Sequence, residues 1–321
     1  MNPFLFHFLL ILVVVFQSCN DDNDTGPQET SVFGVSNRII VFSSNSTIYS
    51  ISEDGTNQTE ILKMGSRIAS LDYSKSAQKI LFTSNDGDFT KNADIYIANP
   101  DGSNQIQVTN NNLKEIYPRF SGDGTKIAFT VENTNGFANL RVINTDGSSE
   151  THITNFTDSI KGLAYEPTWS SNDRQLFFIG QVQEYGLHAI DINGKNLKLI
   201  YASDSIELSS PAISPNVAKI LCSGYRALTP EIGDIYSLDT NGHNLETLTN
   251  FQRTIPYSFL STNPAWSNDG EKFSFTTNRD FALTFPSPYY STQEIYSANM
   301  DGSSLIRLTN DTIDQRFPIW K

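Results

Sequence analysis

The segment DIYIANPDGSNQIQVTN, residues 94–110, reads as a strand, a tight turn and a second strand. Ile95, Ile97, Ile106 and Val108 occupy alternate positions on either side of Asp101-Gly102. Alternation of this kind turns one face of each strand toward an apolar layer. Asp-Gly between two alternating runs signals a hairpin, and the two-residue type I′ turn it predicts places both central residues at positive φ.

The phrase recurs as IYSISEDGTNQTEIL (48–62), LRVINTDGSSETHIT (140–154), LHAIDINGKNLKLIY (187–201), IYSLDTNGHNLETLT (235–249) and IYSANMDGSSLIRLT (295–309). In each copy an aliphatic residue (Ile48, Ile95, Leu140, Leu187, Ile235, Ile295) stands seven positions before the turn glycine. Seven positions after it, the second strand closes at Leu62, Thr109, Thr154, Tyr201, Thr249 and Thr309. The glycines are Gly55, Gly102, Gly147, Gly194, Gly242 and Gly302, separated by 47, 45, 47, 48 and 60 residues. Constant spacing within the unit and variable spacing between units describe a rigid repeat whose length changes are confined to loops.

Between the hairpins lies a second phrase: Pro118-Arg119-Phe120-Ser121, Pro167-Thr168-Trp169-Ser170, Pro211-Ala212-Ile213-Ser214 and Pro264-Ala265-Trp266-Ser267. A polar turn follows, such as GDG at 122–124 or NDG at 268–270. An apolar strand comes next: KIAFT (126–130), QLFFI (175–179), KILCS (219–223) and KFSFT (272–276). Each unit therefore holds four short strands at about the 40–45-residue period of propeller blades. Proline suits the start of a first strand, where no ladder donor is needed. RIIVFSS (38–44) is a second strand with no first strand before it, and Phe317-Pro318-Ile319-Trp320-Lys321 is a first strand with nothing after it. The expected fold is all-β: a six-bladed β-propeller of four-stranded antiparallel blades, closed by pairing of 317–321 with the N-terminal blade.

The run P-x-W-S-x-D-G, K-I-A-F-T, D-I-Y-x-x-x-x-D-G-S-x and L-T-N resembles the TolB-type six-bladed propeller, a WD-repeat-like family of the bacterial envelope, over about residues 37–321. Lys63 after Leu62, Leu71 in the proline place, and Asn193 and Asn241 for the turn aspartate depart from that pattern. The resemblance implies the propeller fold and an envelope location.

Residues 1–18, MNPFLFHFLLILVVVFQS, have the length and apolarity of a secretory signal and are too short and too terminal for a membrane span. Phe16-Gln17-Ser18-Cys19 resembles a lipobox with Phe16 in the leucine place, which implies cleavage of the signal and lipidation of Cys19. Acyl chains would then anchor the protein while the polypeptide stays outside the bilayer. Residues 19–36 form a flexible acidic tether, and 37–321 the propeller. The implied location is that of a bacterial outer-membrane lipoprotein, on the periplasmic side or the cell surface. The formal net charge of −13 removes the phosphate-neutralising term that drives nucleic-acid binding. With Cys19 lipidated, Cys222 has no disulfide partner and reads as a small buried apolar residue.

Motifs for chemistry are sparse. His152, His188 and His243 fall on different units, so a shared metal site would need distant rings to converge. No G-x-S-x-G elbow occurs. The stretch from Asn85 to Asp94 offers oxygen ligands but lacks the closing glutamate of a calcium loop. No catalytic residue, metal ligand or cofactor is expected. Long irregular links (110–117, 155–166, 224–233, 250–263, 278–293) share one face, where function concentrates on a rigid scaffold. Phe281, Phe285, Tyr289 and Tyr290 from the 278–293 loop, with Tyr257, Phe259, Tyr225 and Arg226, form the predicted partner-binding face, and Tyr165 and Tyr185 lie nearer its far side. Asp158-Ser159-Ile160, Asp204-Ser205-Ile206 and Asp311-Thr312-Ile313 resemble an O-glycosylation sequon. The reading that follows is a monomeric, non-enzymatic propeller recruiting an envelope protein or glycan. The alternatives are a metal-assisted hydrolase or lyase at the channel mouth and a glycan-binding accessory protein.

Overall fold

A computed structural model describes residues 38–85, 92–133, 135–157, 162–226, 229–249, 259–279, 292–311 and 313–321. The expected signal sequence, Cys19 and tether lie outside them, as do the sequon residues 158–160 and Thr312 and most of the 278–293 loop. Residues 37–321 form one compact, all-β unit.

The strands run as successive four-strand antiparallel meanders. The first pairs β1 (Ile39–Ser44), β2 (Thr47–Ser52) and β3 (Thr59–Lys63). Then come β4 (Arg67–Ser74), β5 (Lys79–Asn85), β6 (Ala93–Ala98) and β7 (Ile106–Gln107), followed by β8 (Lys114–Phe120), β9 (Lys126–Glu132), β10 (Ala138–Asn144) and β11 (Thr151–His152). The chain continues through β12 (Leu163–Trp169), β13 (Gln175–Val182), β14 (Glu184–Asp191) and β15 (Lys198–Tyr201). Next are β16 (Ile206–Ile213), β17 (Lys219–Arg226), β18 (Thr229–Asp239) and β19 (Glu246–Thr247). The last full set is β20 (Phe259–Trp266), β21 (Lys272–Thr277), β22 (Glu294–Asn299) and β23 (Ile306–Arg307). β24 (Arg316–Trp320) returns to pair antiparallel with β1, Ile40 opposite Trp320 and Val41 opposite Ile319, and supplies the strand that the first meander lacked.

Neighbouring meanders pack face to face. Phe177, Ile179 and Leu187 of one interleave with Leu208, Ile220, Cys222, Tyr236 and Leu238 of the next. Ile40, Phe42 and Ile51 pack with Ala265, Ile295 and Leu308. The strand that opens each meander contacts its counterpart in the next: β4 with β8, β8 with β12, β12 with β16, β16 with β20, β20 with β24, and β24 with β4. An electrostatic clasp spans the same junction as the β24 return. Arg38 hydrogen-bonds Asp269 and Glu271 (2.9 Å) and lies 3.7 Å from Glu53, which pairs with Lys272 at 3.3 Å.

The repeated turn departs from the type I′ expectation. Gly102 has φ +81°, while Asp101 keeps negative φ. The Gly102 N–H donates to the Asn99 carbonyl (2.9 Å) and the Asn99 N–H to the Ser103 carbonyl (2.8 Å), which is a type I turn closed by a left-handed glycine bulge. Asp101 Oδ1 accepts the Ser103 N–H (3.0 Å), a local bond that favours this turn. All six repeats share it. Each turn glycine also rests against the fourth-strand backbone of the preceding meander. A Cβ on Gly102 would meet the Ile61 carbonyl oxygen at 2.3 Å, one on Gly242 the Ile200 oxygen at 2.0 Å, and one on Gly55 the Leu308 oxygen at 3.0 Å. Glycine is fixed there twice, by φ and by close approach.

Two further details differ from the sequence reading. The prolines sit inside strands rather than at their starts, and the links are correspondingly shorter. In β8, β12, β16, β20 and β24 the residue before proline (Tyr117, Glu166, Ser210, Asn263, Phe317) has φ between +49° and +55°, and the pairing register shifts at that point. The bulge takes proline out of the ladder, so its missing N–H goes unnoticed. The fourth-strand ladder of four repeats stops two residues before the closing threonine, whose hydroxyl takes over. Thr109, Thr154, Thr249 and Thr309 Oγ1 accept the N–H groups of Ile95, Leu140, Ile235 and Ile295 at 2.7–2.9 Å.

Thr109 also donates to Glu115, which is fully buried and takes the Asn111 amide at 2.7 Å. Burial pushes the Glu115 carboxyl up to about 7, against the pull of those two bonds. Between the ordinary glutamate range and pH 7 the folded state therefore holds a proton that the unfolded chain has released. Stability accordingly falls as pH rises through that window, by up to about 3 kcal/mol from this group. Glu115→Gln should flatten that part of the curve in urea titrations between pH 5 and pH 8 and raise stability at pH 8. An unchanged slope would remove Glu115 as its source.

Candidate functional site in the central channel

The opening strands converge on a cavity of about 390 Å³. Its wall is built from the C-terminal ends of those strands and the turns that follow, including Leu71, Asp72, Arg119, Trp169, Ile213, Pro215, Asn263, Trp266 and Phe317. The repeated phrase places them: after the bulge, each strand delivers proline, one variable residue, an aromatic or aliphatic residue and serine to the same end of the fold.

Most polar groups here are already engaged in joining neighbours. Trp169, Trp266 and Trp320 each donate the indole N–H to the backbone carbonyl one repeat earlier, at Arg119 (3.0 Å), Ala212 (3.0 Å) and Ala265 (3.2 Å). Asp72, nearly buried, accepts the Phe120 N–H at 2.8 Å. Burial raises its carboxyl above the usual range, opposed by the charge of Arg119. The Arg119 guanidinium donates to the carbonyls of Leu71 (3.1 Å) and Pro118 (3.4 Å). Asp173 bridges the N–H groups of Gly122 (2.7 Å) and Asp123 (3.1 Å) in the turn of the preceding meander.

Toward the other end of the strands, Glu166 accepts the Ser210 N–H at 2.5 Å. Burial raises its carboxyl, with the Ser210 bond and Arg119 pulling the other way. Tyr117 and Tyr185 are pushed up to about 12, by burial first and by the Glu166 charge second. Tyr225 is raised by burial, shares a hydrogen bond with Ser209 and lies in the same field of Glu166.

Of the residues predicted for partner binding, Phe281, Phe285, Tyr289, Tyr290 and Tyr257 lie outside the described residues. Phe259 opens β20, with its side chain likewise outside them. Tyr225 and Arg226 close β17 and, as strand neighbours, face opposite sides of the sheet. Arg226 lies 3.5 Å from the buried carboxylate of Asp234, and Tyr225 faces Ser209 and the Glu166 cluster. Tyr185 donates its hydroxyl to the Leu208 carbonyl at 3.2 Å, and Tyr165 lies in β12. Asp72, Tyr117, Arg119 and Glu166 were missed as site residues. Their signal was their fixed offset, one before or one after the repeated proline place.

Cys222 is buried, and burial raises its thiol strongly, which suits a packing role. His188 is buried, stacked on Phe178 at 5.4 Å with Nδ1 3.0 Å from the Gly186 carbonyl, while His152 sits far along the edge in β11. Among the described residues no group of three or more His, Cys, Asp or Glu side chains is arranged to hold a metal ion.

No family model matches the chain, and no curated protein matches it. Solved structures do. TolB from Acinetobacter baumannii aligns with a TM-score of 0.69 at 17% identity, over 88% of this chain and 66% of that one. The putative TolB from Agrobacterium tumefaciens aligns with a TM-score of 0.65 at 14% identity, over 87% and 90%. The fold is a TolB-like β-propeller. A structure of the nidogen/laminin complex matches the propeller as well, with a TM-score of 0.66 at 10% identity, over 88% of this chain and 98% of that one. At such identities the likeness is one of fold. This chain spans just under two thirds of the length of the Acinetobacter TolB chain.

Proposed function

We propose that the chain is a six-bladed, ring-closed propeller, held at the bacterial envelope by lipidated Cys19, that serves as a non-enzymatic binding scaffold for an envelope partner. The ring is supported by the unbroken circuit of contacts from β4 round to β24 and back, together with the β1–β24 pairing. The envelope location is supported by the TolB-like fold and by the signal-like residues 1–18 ahead of Cys19.

One observation carries the binding reading. In the 390 Å³ cavity, Asp72, Arg119 and Asp173 are committed to backbone groups of neighbouring blades. Groups so occupied hold a shaped concave surface in place, as docking requires, whereas acid–base chemistry needs carboxylates free to exchange protons with a substrate. The partner favoured is a protein engaging the channel and the long-loop face. A glycan would use the same aromatic loops and is an outcome of the test.

Residues 37–321 serve as cross-linking bait in envelope extracts, beside a variant with Phe281, Phe285, Tyr289 and Tyr290 changed to Ser. A protein captured by the parent and lost with the variant is the expected result. Equal capture would remove the aromatic loop from the interface, and capture of nothing would overturn the scaffold reading. In the same cells, full-length protein should sediment with membranes and Cys19→Ser should move it to the soluble fraction.

A further inference from the structure

We propose that the cluster formed by Glu166, Tyr117, Tyr185 and Tyr225 around the start of β16 is a binding site for an organic cation, a protonated amine carried on an aliphatic chain. Three side chains from two neighbouring sheets converge on the single segment Leu208–Ser210. Glu166 takes the Ser210 N–H at 2.5 Å, Tyr185 donates its hydroxyl to the Leu208 carbonyl at 3.2 Å, and Tyr225 bonds the Ser209 side chain. Tyr117, one blade earlier at the same bulge position as Glu166, lies within reach of the Glu166 charge.

The charge balance points to a cation. Glu166 forms no ion pair among the described residues, and its nearest compensating charge, Arg119, is bonded to backbone carbonyls and shared with Asp72. One guanidinium thus serves two desolvated carboxylates, Asp72 buried and Glu166 half-buried, and a desolvated carboxylate without a direct counter-ion is costly to keep charged. Phenol rings beside it supply π faces that attract an ammonium group, and their apolar edges suit its methylene chain. The site is reachable: Tyr185 is 45% exposed and Glu207, whose charge also reaches Tyr185, is exposed. Ser210, Asn263 and Phe317 hold the same bulge position elsewhere and carry no charge, so the feature belongs to this sector of the fold.

The inference stands apart from the scaffold reading, because a free amine tests it with no partner present. The full chain is titrated with n-butylammonium chloride, n-butanol and acetyl-lysine amide, and binding is followed by tyrosine fluorescence and ligand-detected NMR. Saturable binding of n-butylammonium, none of n-butanol, and at least tenfold weaker binding in Glu166→Gln are expected. Tyr185→Ala should weaken binding several-fold, whereas Tyr185→Phe, which keeps the ring and loses only the bond to the Leu208 carbonyl, should retain it. Tighter binding of acetyl-lysine amide than of n-butylammonium would identify a protein-borne lysine as the natural source, and the reverse a free amine. Absence of saturable amine binding, or equal affinity in Glu166→Gln, would overturn the proposal.

Discussion

Trp320→Ala is expected to destabilise the protein by about 4 kcal/mol in urea denaturation, the range for emptying a buried indole site. Trp320 is almost fully buried among Ile40, Phe42, Ile51, Ala265, Ile295 and Leu308, so its removal opens a cavity shared by β1, β24 and β20. It also loses the indole N–H bond to the Ala265 carbonyl at 3.2 Å. Trp320→Phe separates the two contributions. It keeps most of the apolar contact and drops the bond, so about 1 kcal/mol should be lost. Trp169 and Trp266 make the equivalent latch within the continuous chain, and their alanine variants should fall in the same range. A cost below about 1 kcal/mol at Trp320 alone would mean that the β1–β24 junction contributes little to stability.

The second large effect is at the repeated glycine turn. Gly242→Ala should cost more than about 3 kcal/mol, because φ is +89° and the new Cβ would sit 2.0 Å from the Ile200 carbonyl oxygen. Gly136 supplies the matched control. Its φ is +81°, close to that of Gly242, and a Cβ there meets nothing within 4 Å. Gly136→Ala should therefore show only the left-handed backbone penalty, about 1 kcal/mol. The difference between the two variants isolates blade-to-blade approach from local conformation. Equal costs in thermal unfolding would assign the whole glycine requirement to φ.

The repeat was legible because its determinants are local. Alternating aliphatic residues at fixed distance from a turn glycine specify a hairpin wherever they occur, and the pairing of residues 316–320 with 39–44 followed from two incomplete units at opposite ends. The turn type was not legible, since Asp-Gly serves both a type I′ turn and a type I turn with a glycine bulge. The Asp101 side-chain bond to Ser103 and the packing of Gly102 on Ile61 favour the latter. The bulge before each proline ran against local preference. The residue before proline favours extended backbone, yet Tyr117, Glu166, Ser210, Asn263 and Phe317 are left-handed, because only a bulge removes proline from the ladder inside a strand.

The channel was harder to read for another reason. Asp72, the Tyr117 and Arg119 pair, and Glu166 come from separate units, 45 or more residues apart from one unit to the next, and no contiguous motif joins them. Only superposing the repeats brings their offsets into line. Sequence clustering drew attention instead to the aromatic run at 281–290, where neighbours in sequence stand in for neighbours in space.

The late return of β24 has a consequence for the chain as it is being made. The indole latch of Trp169 closes a span of 50 residues, whereas the Ser43 contact with Arg316 closes one of 273. For a flexible chain that difference costs about 1.5 kcal/mol of extra closure entropy. β1 leaves the ribosome early and then waits, its outer row of N–H and C=O groups unmatched, until nearly the whole protein has been synthesised. An architecture whose first strand cannot be completed before its last keeps that junction open until synthesis is nearly over.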